Sequence, residues 1–192
     1  IHSFPTRRSS DLGDINIKEN KGAIKLDQII ASNGNVKLEA QTSITATDRN
    51  SLVQGRLVEL VTANGAIGTD GSPLRIDTNE GEGYGLSAQA RQNINLHEIS
   101  GSLRIISIVS RFGDITLKVS NGGLINANSG DYAVNYELLD LWDDNINYTA
   151  AQVYAFLEAI KLKRLTDTSY RLNEPNLIGR HININVLNAE GN

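Results

Sequence analysis

Gly13-Asp14-Ile15-Asn16-Ile17, Gly22-Ala23-Ile24-Lys25-Leu26 and Gly34-Asn35-Val36-Lys37-Leu38 repeat one phrase: glycine, a small or polar residue, then apolar–polar–apolar. The phrase returns as Gly101-Ser102-Leu103-Arg104-Ile105 and Gly113-Asp114-Ile115-Thr116-Leu117, with Gln92-Asn93-Ile94-Asn95-Leu96 as a variant. Alternation with period two marks half-buried strands, and the glycine marks the turn before each. The steps between phrases decide the fold. Ile15, Ile24 and Val36 stand 9 and 12 residues apart, as do Ile94, Leu103 and Ile115. One period is therefore 21 residues. Internal periods of this size mean a solenoid. With short strands and little room for helix, the expected fold is all-β, a right-handed parallel β-helix of five to six coils over residues 13–130.

Two other folds compete. An α/β crossover sheet needs helices between its strands, and connections of a few residues leave no space for them. A β-sandwich also has short strands 8–12 residues apart, but it has no reason to repeat 9 and 12. The segment 13–130 holds 15 of the 17 glycines. Ile and Leu are expected in the interior rows, Asn at the turns, where it can form stacked amide ladders, and Asp14 and Asp114 in Gly-Asp turns, where Asp favours local hydrogen bonds. Lys25, Lys37, Arg75, Arg104 and Lys118 take the polar phase and should face solvent.

The first twelve residues do not fit. His2 to Leu12 reads like a translated sequencing adapter, so residues 1–12 are expected to be non-native and are set aside. The chain also contains no methionine. Both features are read as marks of an internal fragment.

Residues 131–178 break the pattern differently. They contain no glycine and seven of the ten aromatics. Thr149-Ala150-Ala151-Gln152 reads as a capping box. Val153, Phe156, Leu157 and Ile160 then form the stripe of an amphipathic helix, expected over about 150–165; a shorter helix is expected over 136–143. The β pattern resumes over 179–192, so 131–178 is expected to be a helical insertion in one coil. Its helix either packs on the solenoid flank or serves as a binding knob. Trp142, Asp143, Asp144 and Tyr148 are the candidate partner-binding residues; for the aspartates, a solvated loop is the simpler reading.

Chemistry is sparse. There is no cysteine, hence no thiol nucleophile and no cysteine-ligated metal. A net charge of −4 argues against general nucleic-acid binding, which rests on basic phosphate contacts. No apolar run approaches the roughly 20 residues of a membrane span, and no signal peptide is visible. None of Asp14, Asp70, Asp77 and Asp114 stands one period from another aspartate, so no stacked acidic site emerges from them. Asp70 and Asp77 flank a turn at Asp70-Gly71-Ser72-Pro73. Gly81-Glu82-Gly83-Tyr84-Gly85 lacks the Lys-Ser/Thr of a phosphate loop. His97 and His181 lack partners at ligand spacing. No catalytic residue, cofactor or metal site is expected.

The phrases Gly113-Asp114-Ile115-Thr116-Leu117 and Gly34-Asn35-Val36-Lys37-Leu38 resemble the repeats of filamentous-haemagglutinin-like exoproteins. Val61-Thr62-Ala63-Asn64-Gly65-Ala66-Ile67-Gly68 with Leu74-Arg75-Ile76, and Gly122-Gly123-Leu124-Ile125-Asn126-Ala127-Asn128 running into a Trp-containing insert, resemble the leukotoxin-type filamentous adhesins. The resemblance covers about residues 13–192. It implies a large, non-enzymatic rod, secreted or held on the bacterial surface, that serves adhesion. It also implies two-partner secretion through an outer-membrane transporter, and a host-cell or matrix receptor or a glycan as partner. A structural spacer, and a fragment of a β-helical polysaccharide lyase or hydrolase, are the other functions weighed.

Overall fold

The computed structural model describes residues 6–10, 13–78, 84–127, 149, 151–152, 155 and 176–187. Among them, two parallel sheets wind into a β-solenoid of about five turns with about 22 residues per turn. The first sheet runs in the order β1 (Thr6–Ser10), β3 (Ile24–Ala31), β6 (Leu52–Gly55), β8 (Leu74–Thr78), β10 (Ile94–Glu98), β12 (Ile115–Val119) and β15 (Ile182–Val186), and β5 (Ile44–Ala46) also pairs with β3. The second runs β13 (Leu124–Asn126), β11 (Leu103–Ser110), β9 (Gly85–Ala90), β7 (Leu57–Thr62), β4 (Val36–Ala40) and β2 (Ile15–Glu19), and β14 (Leu177–Ile178) pairs with β11. The parallel β-helix expected from the phrases is the fold observed.

Strand pairing shows why the phrases recur. Ile15 pairs with Val36, and Val36 with Val58, steps of 21 and 22 residues. Each inward residue thus sits on its equivalent in the next coil. One row is entirely isoleucine: Ile24, Ile44, Ile67, Ile94, Ile115 and Ile182. Its first five members are buried and Ile182, at the last strand, is 41% exposed. Burying an aliphatic side chain of this size is worth about 1.5–3 kcal/mol, so such rows drive coil on coil.

Two steps depart from the period. Val58 pairs with Leu86, a step of 28, because residues 79–83 intervene. Ile115 pairs with Ile182, a step of 67, because residues 128–175 intervene. After the first, β9 and β11 slip by one residue between Ile105 and Ser107; across the second, β12 and β15 pair in register over all five residues.

The turns are also coupled along the axis. The Asn35 N–H donates to Asp14 Oδ1 at 2.8 Å, the Asp114 N–H to Asn93 Oδ1 at 3.0 Å, and the Gly123 N–H to Ser102 Oγ at 3.1 Å. Each pair is 21 residues apart. The polar residue of the phrase therefore bonds the coil above, where local bonding was the expectation for Asp14 and Asp114. Parallel stacking brings the next turn's N–H directly over that side chain.

The outward residues are less wet than alternation suggests. Lys25 is exposed, whereas Lys37, Arg75, Arg104 and Lys118 are half-buried. Arg75 donates to the Arg49 carbonyl and Arg104 to the Tyr84 carbonyl, so both arms lie along the wall. On the second sheet the outward row Glu39, Val61, Gln89 and Val109 is buried. Glu39 is held by Lys18 Nζ at 2.9 Å and Lys37 Nζ at 3.4 Å.

Backbone pairing extends to β1, inside the adapter-like stretch. Such an edge accepts any chain that carries N–H and C=O groups.

Candidate functional site

The longest strand of the second sheet, β11, carries the base of the large excursion. Its first half is covered by β13, where Leu103, Arg104 and Ile105 face Leu124, Ile125 and Asn126. Its second half is covered by β14, where Ile108 and Val109 face Leu177 and Ile178. The chain leaves this line after Ala127 and re-enters it at Asn176. Ala127 N–H donates to the Ile105 carbonyl at 2.9 Å, and Ile108 N–H to the Asn176 carbonyl at 2.7 Å. The two ends of a 48-residue excursion are thus neighbours on one strand line.

Two side chains close the gap. Asn176 Nδ2 donates to the Ile105 carbonyl at 3.3 Å, the Ile106 carbonyl at 3.1 Å and Asn126 Oδ1 at 2.9 Å. The Ile105 carbonyl also accepts from Ala127, so it is the Ile106 carbonyl for which Asn176 replaces a departing ladder donor. One turn later, the Asp114 carboxylate receives Arg180 Nε at 3.1 Å and lies 2.9 Å from His181 Nδ1. Hydrogen bonds from Arg180 first, and from His181 second, hold the Asp114 carboxyl below the usual aspartate range. Asp114 occupies the phrase position that stitches coils, so the returning strand is received by the same device as an uninterrupted one.

At the head of the expected 150–165 helix, the capping box expected at Thr149 is formed. Thr149 Oγ1 accepts from the Gln152 N–H at 3.2 Å, and Gln152 Oε1 accepts from the Thr149 N–H at 2.9 Å. Ala151, Gln152 and Ala155 are helical. The remainder of the expected helices lies outside the described residues, as do Trp142, Asp143, Asp144 and Tyr148.

A second polar locus was not anticipated. Glu98 stands in the interior row Ile29, Val53, Ile76, Glu98, Val119 and Val186, and is 0% exposed. Its Oε2 accepts from Thr78 Oγ1 at 2.7 Å and from the Thr78 N–H at 3.2 Å. Thr78 is the last strand residue before the 79–83 excursion, so the carboxyl supplies an acceptor where the chain turns away. Burial dominates and pushes the Glu98 carboxyl up to about 8, with Asp77 adding to the rise and the Thr78 and Ser100 hydrogen bonds opposing it. Burial raises Asp77 as well. The signal was present in the sequence: Leu96-His97-Glu98 puts a carboxylate at the phase that Leu117-Lys118-Val119 fills with valine.

His97 points outward, with Nε2 2.6 Å from Ser120 Oγ. Burial, then Lys118 and Arg75, lower its pKa. Among the described residues no three of His, Asp and Glu gather as a metal site. Among them, too, no helix is long and apolar enough to cross a membrane.

These features define a parallel β-solenoid repeat protein whose coils receive an excursion without losing register. No family model, no curated protein and no solved structure matches the chain.

Proposed function

We propose that this chain is an internal rod segment of a large filamentous adhesin or exoprotein, secreted or held on the bacterial surface, with the solenoid as scaffold and the insertion as the displayed element. The observation that carries this reading is the base of the excursion. Forty-eight residues leave and rejoin one strand line, and the stack above keeps its register through Asn176 and Asp114. A scaffold that accepts so long a segment can present it without redesigning its core. Export through an outer-membrane transporter suits the sequence, since a chain without cysteine forms no disulfide that would block threading. Coils that contact mainly their neighbours can also fold one after another as they emerge.

Adhesion and spacing differ in what the insertion does. Alanine at Trp142 and Tyr148, with asparagine at Asp143 and Asp144, should lower binding of the purified segment to host cells or matrix at least tenfold if the insertion is adhesive. Unchanged binding would leave the segment a spacer. The enzymatic alternative would draw on the neighbouring carboxylates Asp77 and Glu98, but a carboxyl that is 0% exposed cannot meet a polysaccharide in this conformation.

A further inference from the structure

Asn-Gly occurs three times in the chain, at Asn33–Gly34, Asn64–Gly65 and Asn121–Gly122. Each pair lies in a bend between strands of the solenoid. The dipeptide suits such bends, but it carries a latent reaction. The backbone nitrogen of the second residue can attack the side-chain amide carbon of the asparagine. Glycine has no side chain to hinder that approach and leaves the backbone free to rotate. The local fold then decides whether the attack proceeds. A glycine N–H held in a hydrogen bond, a tethered asparagine or a backbone wedged against the next coil each opposes it.

Two of the three pairs are opposed in this way. Gly34 is buried, and its N–H donates to the Ala31 carbonyl at 3.3 Å. A Cβ there would run into the Gly13 carbonyl of the adjacent coil. Gly65 is buried and packs as closely on the Thr42 carbonyl. The Asn64 N–H donates to the Gln41 carbonyl at 3.1 Å, and Asn64 Oδ1 accepts from Arg91 Nη1 at 3.5 Å. Asn121–Gly122 differs in each respect. Both residues are exposed. Neither the Asn121 amide nor the Gly122 N–H has a hydrogen-bond partner among the described residues. Gly122 has φ of +100°, a region open to glycine and strained for other residues.

We propose that Asn121–Gly122 is a self-modification site, where the chain converts its own asparagine to aspartate and isoaspartate. The Gly122 nitrogen gives up its proton and bonds to Asn121 Cγ. The Cγ–Nδ2 bond breaks, and the amide nitrogen leaves as ammonia with that proton. The product is a five-membered succinimide. Water then adds to either ring carbonyl, and the bond from that carbon to the Gly122 nitrogen breaks. Opening at Cγ gives aspartate. Opening at the backbone carbonyl gives isoaspartate, whose main chain runs through Cβ and Cγ and is one methylene longer. Water is the co-reactant, and no redox step is involved.

The position gives the change a consequence. The next residue, Gly123, donates its N–H to Ser102 Oγ at 3.1 Å and accepts from the Leu103 N–H at 2.9 Å. These bonds seat β13, which pairs with β11 through three residues and leads to the departure at Ala127. A main chain lengthened at residue 121 shifts Gly123 off Ser102. Isoaspartate therefore loosens the departing side of the junction, whether the segment is adhesin or spacer.

The test is peptide mapping by tandem mass spectrometry on the full chain held at pH 8 and 37 °C, folded and in urea. In the folded chain Asn121 should convert at least tenfold faster than Asn33 or Asn64. In urea the three rates should lie within threefold of one another. Asn121→Gln should abolish conversion at this site. Amide exchange at Leu103 and Gly123 should quicken at least tenfold in the isoaspartate form. It should stay unchanged in fresh Asn121→Asp, which adds the charge without the methylene. No conversion at Asn121, or equal conversion at Asn33 or Asn64 in the folded chain, would overturn the site. A preference for Asn121 that persists in urea would overturn the structural cause, and unchanged exchange in the isoaspartate form would overturn the loosening.

Discussion

Glu98→Gln should flatten the dependence of stability on pH between about 4.5 and 8. The carboxyl is neutral in the folded chain up to about pH 8, while in the unfolded chain it ionises at its ordinary value of 4.5. Below 4.5 both states hold the proton, and the stability linked to this group is fully present. Between 4.5 and 8 the unfolded state releases the proton and the folded state does not. Stability then falls by about 1.4 kcal/mol per pH unit, a tenfold change in the folded-to-unfolded ratio. Above 8 the folded carboxyl ionises too, and the loss levels off on the order of 5 kcal/mol. Glutamine cannot titrate, and its carbonyl oxygen still accepts from Thr78.

The assay is urea unfolding followed by far-UV circular dichroism at pH 5, 6, 7, 8 and 9, for wild type and variant. At pH 5 the two should agree within about 1 kcal/mol, the worth of one hydrogen bond exchanged for another. At pH 8 the variant should be the more stable by several kcal/mol. His97 and Asp114 also have shifted pKa values, but both proteins carry them and the difference curve removes them; Asp77, which adds to the Glu98 rise, stays in the difference as a smaller contribution. Parallel curves for the two proteins between pH 5 and 8 would refute the claim that a neutral carboxyl occupies the aliphatic row.

Three further outcomes test the architecture. Asn176→Ala removes the donor to Ile105 and Ile106, and should cost about 1–3 kcal/mol; amide exchange along β11 and protease cleavage within 128–175 should both quicken, and unchanged rates would mean that the junction holds without Asn176. Gly34→Ala puts a Cβ onto the Gly13 carbonyl of the adjacent coil, whereas Gly71 has nothing within 4 Å; thermal melts should show a loss of roughly 1–3 kcal/mol or more for the first and little for the second, and equal melts would contradict the close coil approach. Ile182 and Ile184 present an exposed apolar row on an edge strand, so the chain should self-associate through it; sedimentation velocity should show fewer multimers for Ile182→Thr with Ile184→Lys, and no change would place the contact elsewhere.

The strand-forming phrases were legible because they obey two rules at once, alternation within a strand and a 21-residue step between coils. Ile15, Val36, Ile94 and Ile115 all satisfy both. Ile44 and Ile67 belong to the same interior row, but Ile67 meets its neighbours through isolated bridges, and Ile44 opens a three-residue strand. Neither flank is long enough to show alternation. The 28-residue step at Val58 hid the continuity of the middle coils. Asn176 was invisible for another reason. Its partner Asn126 is 50 residues away, and no periodicity links positions across an excursion. Asn95 was read as an ordinary outward strand residue, yet it is 4% exposed, because the 68–72 turn lies against β10, where a Cβ at Gly68 would run into the Asn95 carbonyl. That approach is a property of Gly68 and the three-dimensional stack, not of the phrase in which Asn95 sits.

Both interruptions of the solenoid meet a polar side chain, Glu98 from the adjoining strand β10 and Asn176 just before β14, and the reason is the same at each. Where the chain leaves the ladder, a buried backbone group loses its usual partner, and a side chain must replace it. At 128–175 the group is the Ile106 carbonyl, since Ile105 still accepts from Ala127, and the replacement is an amide donor, Asn176. At 79–83 the group is the Thr78 N–H, and the replacement is an acceptor, Glu98. The chemistry of each plug matches the sign of what is missing. This makes Glu98 a consequence of the excursion, and a double-mutant cycle can test that dependence. Deleting 79–83 shortens the Val58-to-Leu86 step to 23, the same as the regular step from Leu52 to Arg75. Alone, the deletion returns Thr78 to a regular turn and strands the Glu98 carboxyl in an aliphatic row. Glu98→Val alone restores the row but leaves the Thr78 N–H unpaired. The two changes together should cost less than their sum by about 1–3 kcal/mol in urea unfolding at pH 7. Additive losses would mean that the carboxyl and the excursion arose independently.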